Sequence, residues 1–275
     1  MRPLLVLVVL AAACGTNSGS APGSGLDAGT SDAGTSACTT SPAAGQPAFL
    51  GTVDLGPFSS TSFSANAIFR GNFGAAVPVT GCPGTQVGSC CFVPRGGSSC
   101  PFPGTVSAGN ITLSKGGTQI AQLTFANGYD DDTSTTPALT WQPGDTLAVS
   151  AAGSAGAVAA FSGSVVAPAP LTGVTPAVTG NVTIPKASDF VIHWTPGSGT
   201  ATVQLFLEDV GLNGIACNVP VTAGSLTVSS SLIANLGSSG SILLGAFNQT
   251  VVAGSNAKVN VRADALTSTA QATYQ

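Results

Sequence analysis

Apolar and polar positions alternate with a period of two along most of the chain, in short runs separated by Gly, Pro, Asn and Asp. Phe63, Ala65, Ala67 and Phe69 alternate with Ser64, Asn66, Ile68 and Arg70. Ile111 and Leu113 run into Lys115-Gly116-Gly117, and Ala121, Leu123 and Phe125 return with Gln122 and Thr124 between them, which reads as a hairpin. Leu139 and Trp141 lead into Pro143-Gly144, followed by Leu147 and Val149. Val182 and Ile184 mark a further strand, and Phe190, Ile192 and Trp194 lead through Pro196-Gly197 to Val203, Leu205 and Leu207. Near the end, Val259, Val261 and Ala263 alternate with Lys258, Asn260 and Arg262. A sheet with one face on a core and the other in water produces this alternation. Helical spacing is confined to residues 229–236, where a Ser precedes Leu232, Ile233 and Leu236 and Gly237 marks a stop. Short strands with turn signals at roughly ten-residue spacing predict an all-β sandwich architecture.

Ala167-Pro168-Ala169-Pro170 is the best internal boundary. It divides the folded part into residues 47–168 and 169–275, each near the size of one antiparallel β-sandwich module. Trp-x-Pro-Gly occurs at Trp141 and again at Trp194, so each Trp reads as a core residue at a strand end with the Pro-Gly turning the chain. In its early-strand Trp and its number of strands, the second half resembles immunoglobulin-like and fibronectin-type sandwiches.

The N-terminus changes the picture. Arg2 precedes an unbroken apolar run from Leu4 to Leu10, then Ala11-Ala12-Ala13 and Cys14. Residues 1–13 read as an export signal, too short to span a bilayer, which takes about 20 residues as a helix. The junction Leu10-Ala11-Ala12-Ala13-Cys14 resembles the lipobox of bacterial lipoproteins, with Ala11 where that family usually carries Leu. The same alanines also fit an ordinary A-x-A cleavage site. The lipobox resemblance implies a diacylglycerated Cys14 and attachment to the bacterial outer membrane through lipid, on its periplasmic or surface face. Residues 14–46 follow as a Gly/Ser/Thr/Ala/Asp-rich linker, in which Leu26 is the one large apolar residue after Cys14. Such composition predicts a disordered tether reaching roughly 30 Å, from about 5–6 Å times the square root of its length. The whole chain is similar to β-sandwich lipoproteins of high-GC Gram-negative bacteria.

Charge is scarce, with 7 Lys+Arg against 11 Asp+Glu and a formal net charge of -4. No basic stripe exists, so nucleic acid is not an expected partner. Of the 7 cysteines, setting Cys14 aside leaves Cys38, Cys82, Cys90, Cys91, Cys100 and Cys217, an even set that fits disulfides in an oxidising compartment. Cys82, Cys90, Cys91 and Cys100 are the disulfide candidates, because their spacing lacks the short Cys-x-Cys separations of structural zinc. Adjacent Cys90 and Cys91 do not suit one another geometrically. The expected pattern is two local bridges within residues 82–100, Cys217 buried as a small apolar residue, and Cys38 free or intermolecular.

Catalytic parts are few. His193 is the only His and Glu208 the only Glu, no Gly-x-Ser-x-Gly elbow is present, and His193 alternates away from Trp194 toward solvent. Glu208 and Asp209 are neighbours on a strand, so their side chains diverge. Asp130, Asp131 and Asp132 follow Asn127-Gly128-Tyr129 as an acidic loop, the candidate oxygen ligands for Ca2+. Tyr129 is the candidate stacking residue for a sugar. The expectation is a non-catalytic, cofactor-free, lipid-anchored protein for adhesion, scaffolding or protein contact. A carbohydrate- or Ca2+-binding module is the alternative reading, with a hydrolase behind it.

Overall fold

The structure is a computed structural model that describes residues 45–57, 63–71, 82, 84–95, 104–126, 128–132 and 141–275. Cys14, Cys38, Cys100 and nearly all of the expected linker lie outside the described residues. Among the described residues the strands are β1 (Phe49–Pro57), β2 (Phe63–Gly71), β3 (Gln86–Val87), β4 (Cys90–Val93), β5 (Ile111–Lys115), β6 (Thr118–Leu123), β7 (Tyr129–Asp132) and β8 (Thr146–Ala151). They continue as β9 (Phe161–Val166), β10 (Asn181–Ile184), β11 (Phe190–His193), β12 (Thr202–Asp209), β13 (Gly214–Pro220), β14 (Ser225–Val228), β15 (Ser239–Ala253) and β16 (Ala257–Tyr274). One short helix, α1 (Ser230–Ile233), begins where the Ser229 hydroxyl accepts from the Ser231 amide.

The chain is all-β and built in layers. A ten-stranded sheet runs β3-β4-β13-β12-β15-β16-β1-β2-β7, with β10 also pairing β16. A four-stranded sheet, β6-β5-β8-β9, and a two-stranded sheet, β11-β14, complete the set. The hairpin of β15 (15 residues) and β16 (18 residues) is the spine. On its outer side, β16 pairs first with β1, from Phe49 opposite Ala257, and then with β10, up to Ile184 opposite Tyr274. Both of these pairings are parallel, so the large sheet is mixed rather than purely antiparallel as expected.

Two cores form. One gathers Val53, Phe69, Ile111, Leu147, Phe161, Val261 and their neighbours between the large sheet and the four-stranded sheet. The other gathers Ile184, Ile192, Trp194, Leu205, Cys217, Leu232, Leu244 and their neighbours. On β15, Leu244 and Ala246 belong to the second core, while Thr250 and Val252, in the same alternation phase, pair with Val261 and Val259 of the first. Both cores therefore lie on one face of the same sheet.

On β16 the buried positions change phase, from Ala257, Val259, Val261 and Ala263 to Ala270, Ala272 and Tyr274. A bulge makes that switch: Gly245 pairs Leu266 while Leu244 pairs Ser268, leaving Thr267 as the extra residue. Thr267 Oγ1 then accepts from the Leu171 amide at 2.9 Å, fixing the start of the 169–275 segment onto the bulge. The boundary near residue 168 thus marks a change of core, but not a break in the sheet. β1 from one side of it pairs directly with β16 from the other, and β2 continues the sheet beyond β1. Close packing in the first core depends on Gly51, where a Cβ would come within 2.2 Å of the buried Phe69 ring.

Candidate functional site

The face of the large sheet opposite both cores carries most of the chemistry that the structure assembles. Register places Asn66, Asp54, Arg262 and Gln249 side by side on β2, β1, β16 and β15. The next rung holds Asp264, Phe247 and Thr202. Arg262 is only 3% exposed, unusual for a residue in the polar phase of a strand.

Its guanidinium is held entirely by protein groups. Arg262 Nε donates to both carboxylate oxygens of Asp264 at 2.9 Å. Nη2 donates to Asp264 Oδ1 at 2.5 Å and to Gln204 Oε1 at 2.8 Å. The charge lies 3.8 Å from the centroid of the Phe247 ring. Arg262 therefore crosses β15 like a strap, joining β16 to β12.

Asp54, directly opposite Arg262 on β1, is less well served. Its Oδ1 is buried and has no hydrogen-bond partner, and the same holds for Asn260 Oδ1 nearby on β16. Burial pushes the Asp54 carboxyl up from its ordinary 3.8 to about 6, with Arg262 lowering it, Asp264 raising it and a Thr52 hydrogen bond lowering it. Protonation turns Asp54 from acceptor to donor and removes a desolvated charge.

A native carboxyl raised in this way takes up its proton before the unfolded chain does as pH falls from about 6 to 3.8. Asp54 therefore destabilises the fold at higher pH, and that deficit disappears toward acid. Asp54→Asn is expected to stabilise the protein by about 2 kcal/mol at pH 8 and by almost nothing at pH 4. Urea titrations of the variant and the parent at both pH values check this, and an equal effect at both would contradict it.

The residues expected from the sequence to be functional mostly do structural work. Tyr129 is buried at 2% exposure; its hydroxyl accepts from the Ala108 amide at 2.7 Å and donates to Gly109 O at 2.6 Å. Its ring meets Phe69 edge-on at 5.8 Å. It is a core anchor and offers no stacking face to a sugar. Asp130, Asp131 and Asp132 lie not in a loop but in edge strand β7, opposite Asn66, Ala65 and Ser64. Among the described residues no group of three or more His, Cys, Asp or Glu is placed to hold a metal ion.

Trp141 and Trp194 are buried as expected, and Trp194 Nε1 donates to Val221 O at 2.8 Å. His193 is exposed on β11, whose Phe190 and Ile192 face the second core. Glu208 lies on the outward face of β12, across that core from His193. The only His and the only Glu in the sequence thus lie on opposite outer surfaces of the sandwich. Asp209, 3% exposed, accepts from the Asn213 amide, Asn213 Nδ2 and the Gly237 amide. Burial pushes its carboxyl up, and these hydrogen bonds more than offset that, leaving it below the ordinary value.

Two disulfides are present among the described residues, Cys82–Cys91 and Cys90–Cys217. The first is a local bridge of the expected kind. The second corrects the expectation of another local bridge and a free Cys217. Strand alternation explains it: on β4, Cys90 faces the second core, where Cys217 is its register partner on β13, and Cys91 faces the other way toward Cys82. Buried Arg262 and its half-buried neighbours Asp54 and Asp264 were missed because each sits in the polar phase of its strand. The signal available was Arg262 and Asp264 two residues apart in a chain nearly devoid of charge. No protein-family model matches the chain, and no curated protein matches its sequence.

Proposed function

We propose that this chain is an exported bacterial lipoprotein, anchored to the outer membrane by lipid on Cys14, whose β-sandwich head serves adhesion, scaffolding or protein contact rather than catalysis. The observation that carries the reading is the signal-like run ending at Cys14, ahead of a head closed by disulfides. Disulfides persist in oxidising, exported compartments, so the head and the leader point to the same location. The separation of His193 from Glu208, and the engagement of Asp209 and Arg262 by structural partners, support a non-catalytic role.

Cys14→Ser should move the protein from the detergent phase to the aqueous phase on Triton X-114 partitioning of cells expressing the full chain. Unchanged partitioning of the variant would remove the anchor from this account. Loss of partitioning with the head still folded, judged by far-UV circular dichroism, is the expected result.

A further inference from the structure

The turn between β12 and β13 displays two aliphatic side chains at the end of the sheet. Val210 is 75% exposed and Leu212 is 53% exposed. Leu212 has φ 65°, the only positive φ on a non-glycine residue among the described residues. A residue with a Cβ disfavours that region, which Gly or Asn accepts readily. The turn has both close at hand, Gly211 before and Asn213 after, yet Leu occupies the strained position.

Nothing about this turn is loose. Its base is clamped by buried Asp209, and the Val210 amide donates to Ser239 O at 3.0 Å. The Leu212 amide donates to Asp209 O at 2.9 Å. From the end of β4, the Arg95 amide donates to Asn213 Oδ1 at 3.0 Å and its guanidinium to Gly211 O at 3.4 Å. The fold thus over-determines an arrangement that leaves two apolar side chains in water, a pattern associated with function.

The tip also has a defined direction. β1 begins beside Ala257, whereas the tip lies beside Ser239 and the Tyr274 end of β16. Eighteen residues of strand separate these ends, roughly 55 Å at about 3.3 Å per residue. The tip is therefore at the end of the head remote from residue 49.

We propose that this tip inserts into a lipid surface. Two aliphatic side chains on a narrow turn offer far less than the roughly 800 Å² per partner of a specific protein interface, whereas shallow insertion needs no complementary surface. Charge agrees with this choice. Exposed Arg95 brings a cation to the tip of an acidic protein, placed for anionic headgroups, while the carboxylate at the turn's base, Asp209, is buried and internally hydrogen-bonded. Glu208, half-buried one residue before it, is the nearest other acid in sequence.

The test uses the full chain carrying Cys14→Ser, so that it does not depend on the anchor, with Val210→Trp as a reporter. Both native tryptophans are buried. Vesicles of 3:1 phosphatidylcholine and phosphatidylglycerol with brominated acyl chains should quench the new emission by at least about half and shift it to the blue. Adding Leu212→Asn should cut that quenching severalfold while leaving Tm the same or raising it by about 2–4 °C, because Asn relieves the strain. Emission unaffected by the brominated vesicles would overturn the proposal. So would a Leu212→Asn variant that melts markedly lower, since Leu212 would then be needed by the fold itself.

Discussion

Cys217→Ala is expected to lower the unfolding free energy by about 4 kcal/mol, the largest single effect anticipated in this protein. The bond to Cys90 closes a loop with a sequence separation of 127, so its absence releases a long stretch of unfolded chain from a strong constraint. Cys217 is fully buried in the second core, and alanine there also leaves part of the sulfur's volume unfilled. The local consequence falls on β3 and β4, the edge hairpin that this bond fixes to β13. Guanidinium titration under oxidising conditions measures the loss. Reduction of the parent protein should reproduce most of it, and a variant as stable as the parent would show that the register alone holds the edge.

Arg262→Met is expected to cost about 3 kcal/mol at pH 8, through charge rather than volume. Removing the guanidinium leaves Asp264 without its bidentate partner and Asp54 without the one cation that lowers its carboxyl. It also breaks the link from β16 across Phe247 to Gln204 on β12. The penalty should shrink toward pH 4, where protonated Asp54 no longer needs a counter-charge. In an Asp54→Asn background the cost at pH 8 should likewise fall, and that coupling separates the electrostatic account from a packing one. Equal costs in both backgrounds would leave packing as the explanation.

Local pattern gave a reliable view of the elements whose strands are half-buried. The hairpin around Lys115-Gly116-Gly117, the strand carrying Phe63 to Phe69, the helical turn after Ser229 and the two buried tryptophans all stand where alternation and turn chemistry place them. Relations between distant segments were not legible. The parallel pairing of β1 with β16 joins residues about two hundred apart, and nothing in either strand names its partner. The phase change on β16 reads as a loss of pattern until the bulge at Thr267 is seen. Cys217 looked solitary because its partner lies on the other side of the Pro-rich boundary. Likewise, polar phase on a strand implies solvent only if the outer face stays open around that position, and Arg262 shows that neighbouring side chains can close it.

The most direct test of a single covalently joined, exported head is non-reducing tryptic mapping of the protein from cells after thiols are blocked. Cleavage after Arg70, Arg95, Lys186 and Lys258 yields fragment 71–95, which holds Cys82, Cys90 and Cys91, and fragment 187–258, which holds Cys217 alone. The predicted result is one species joining 71–95 to 187–258, which reduction separates. Recovery of fragment 187–258 by itself, with Cys217 carrying the blocking group, would contradict it.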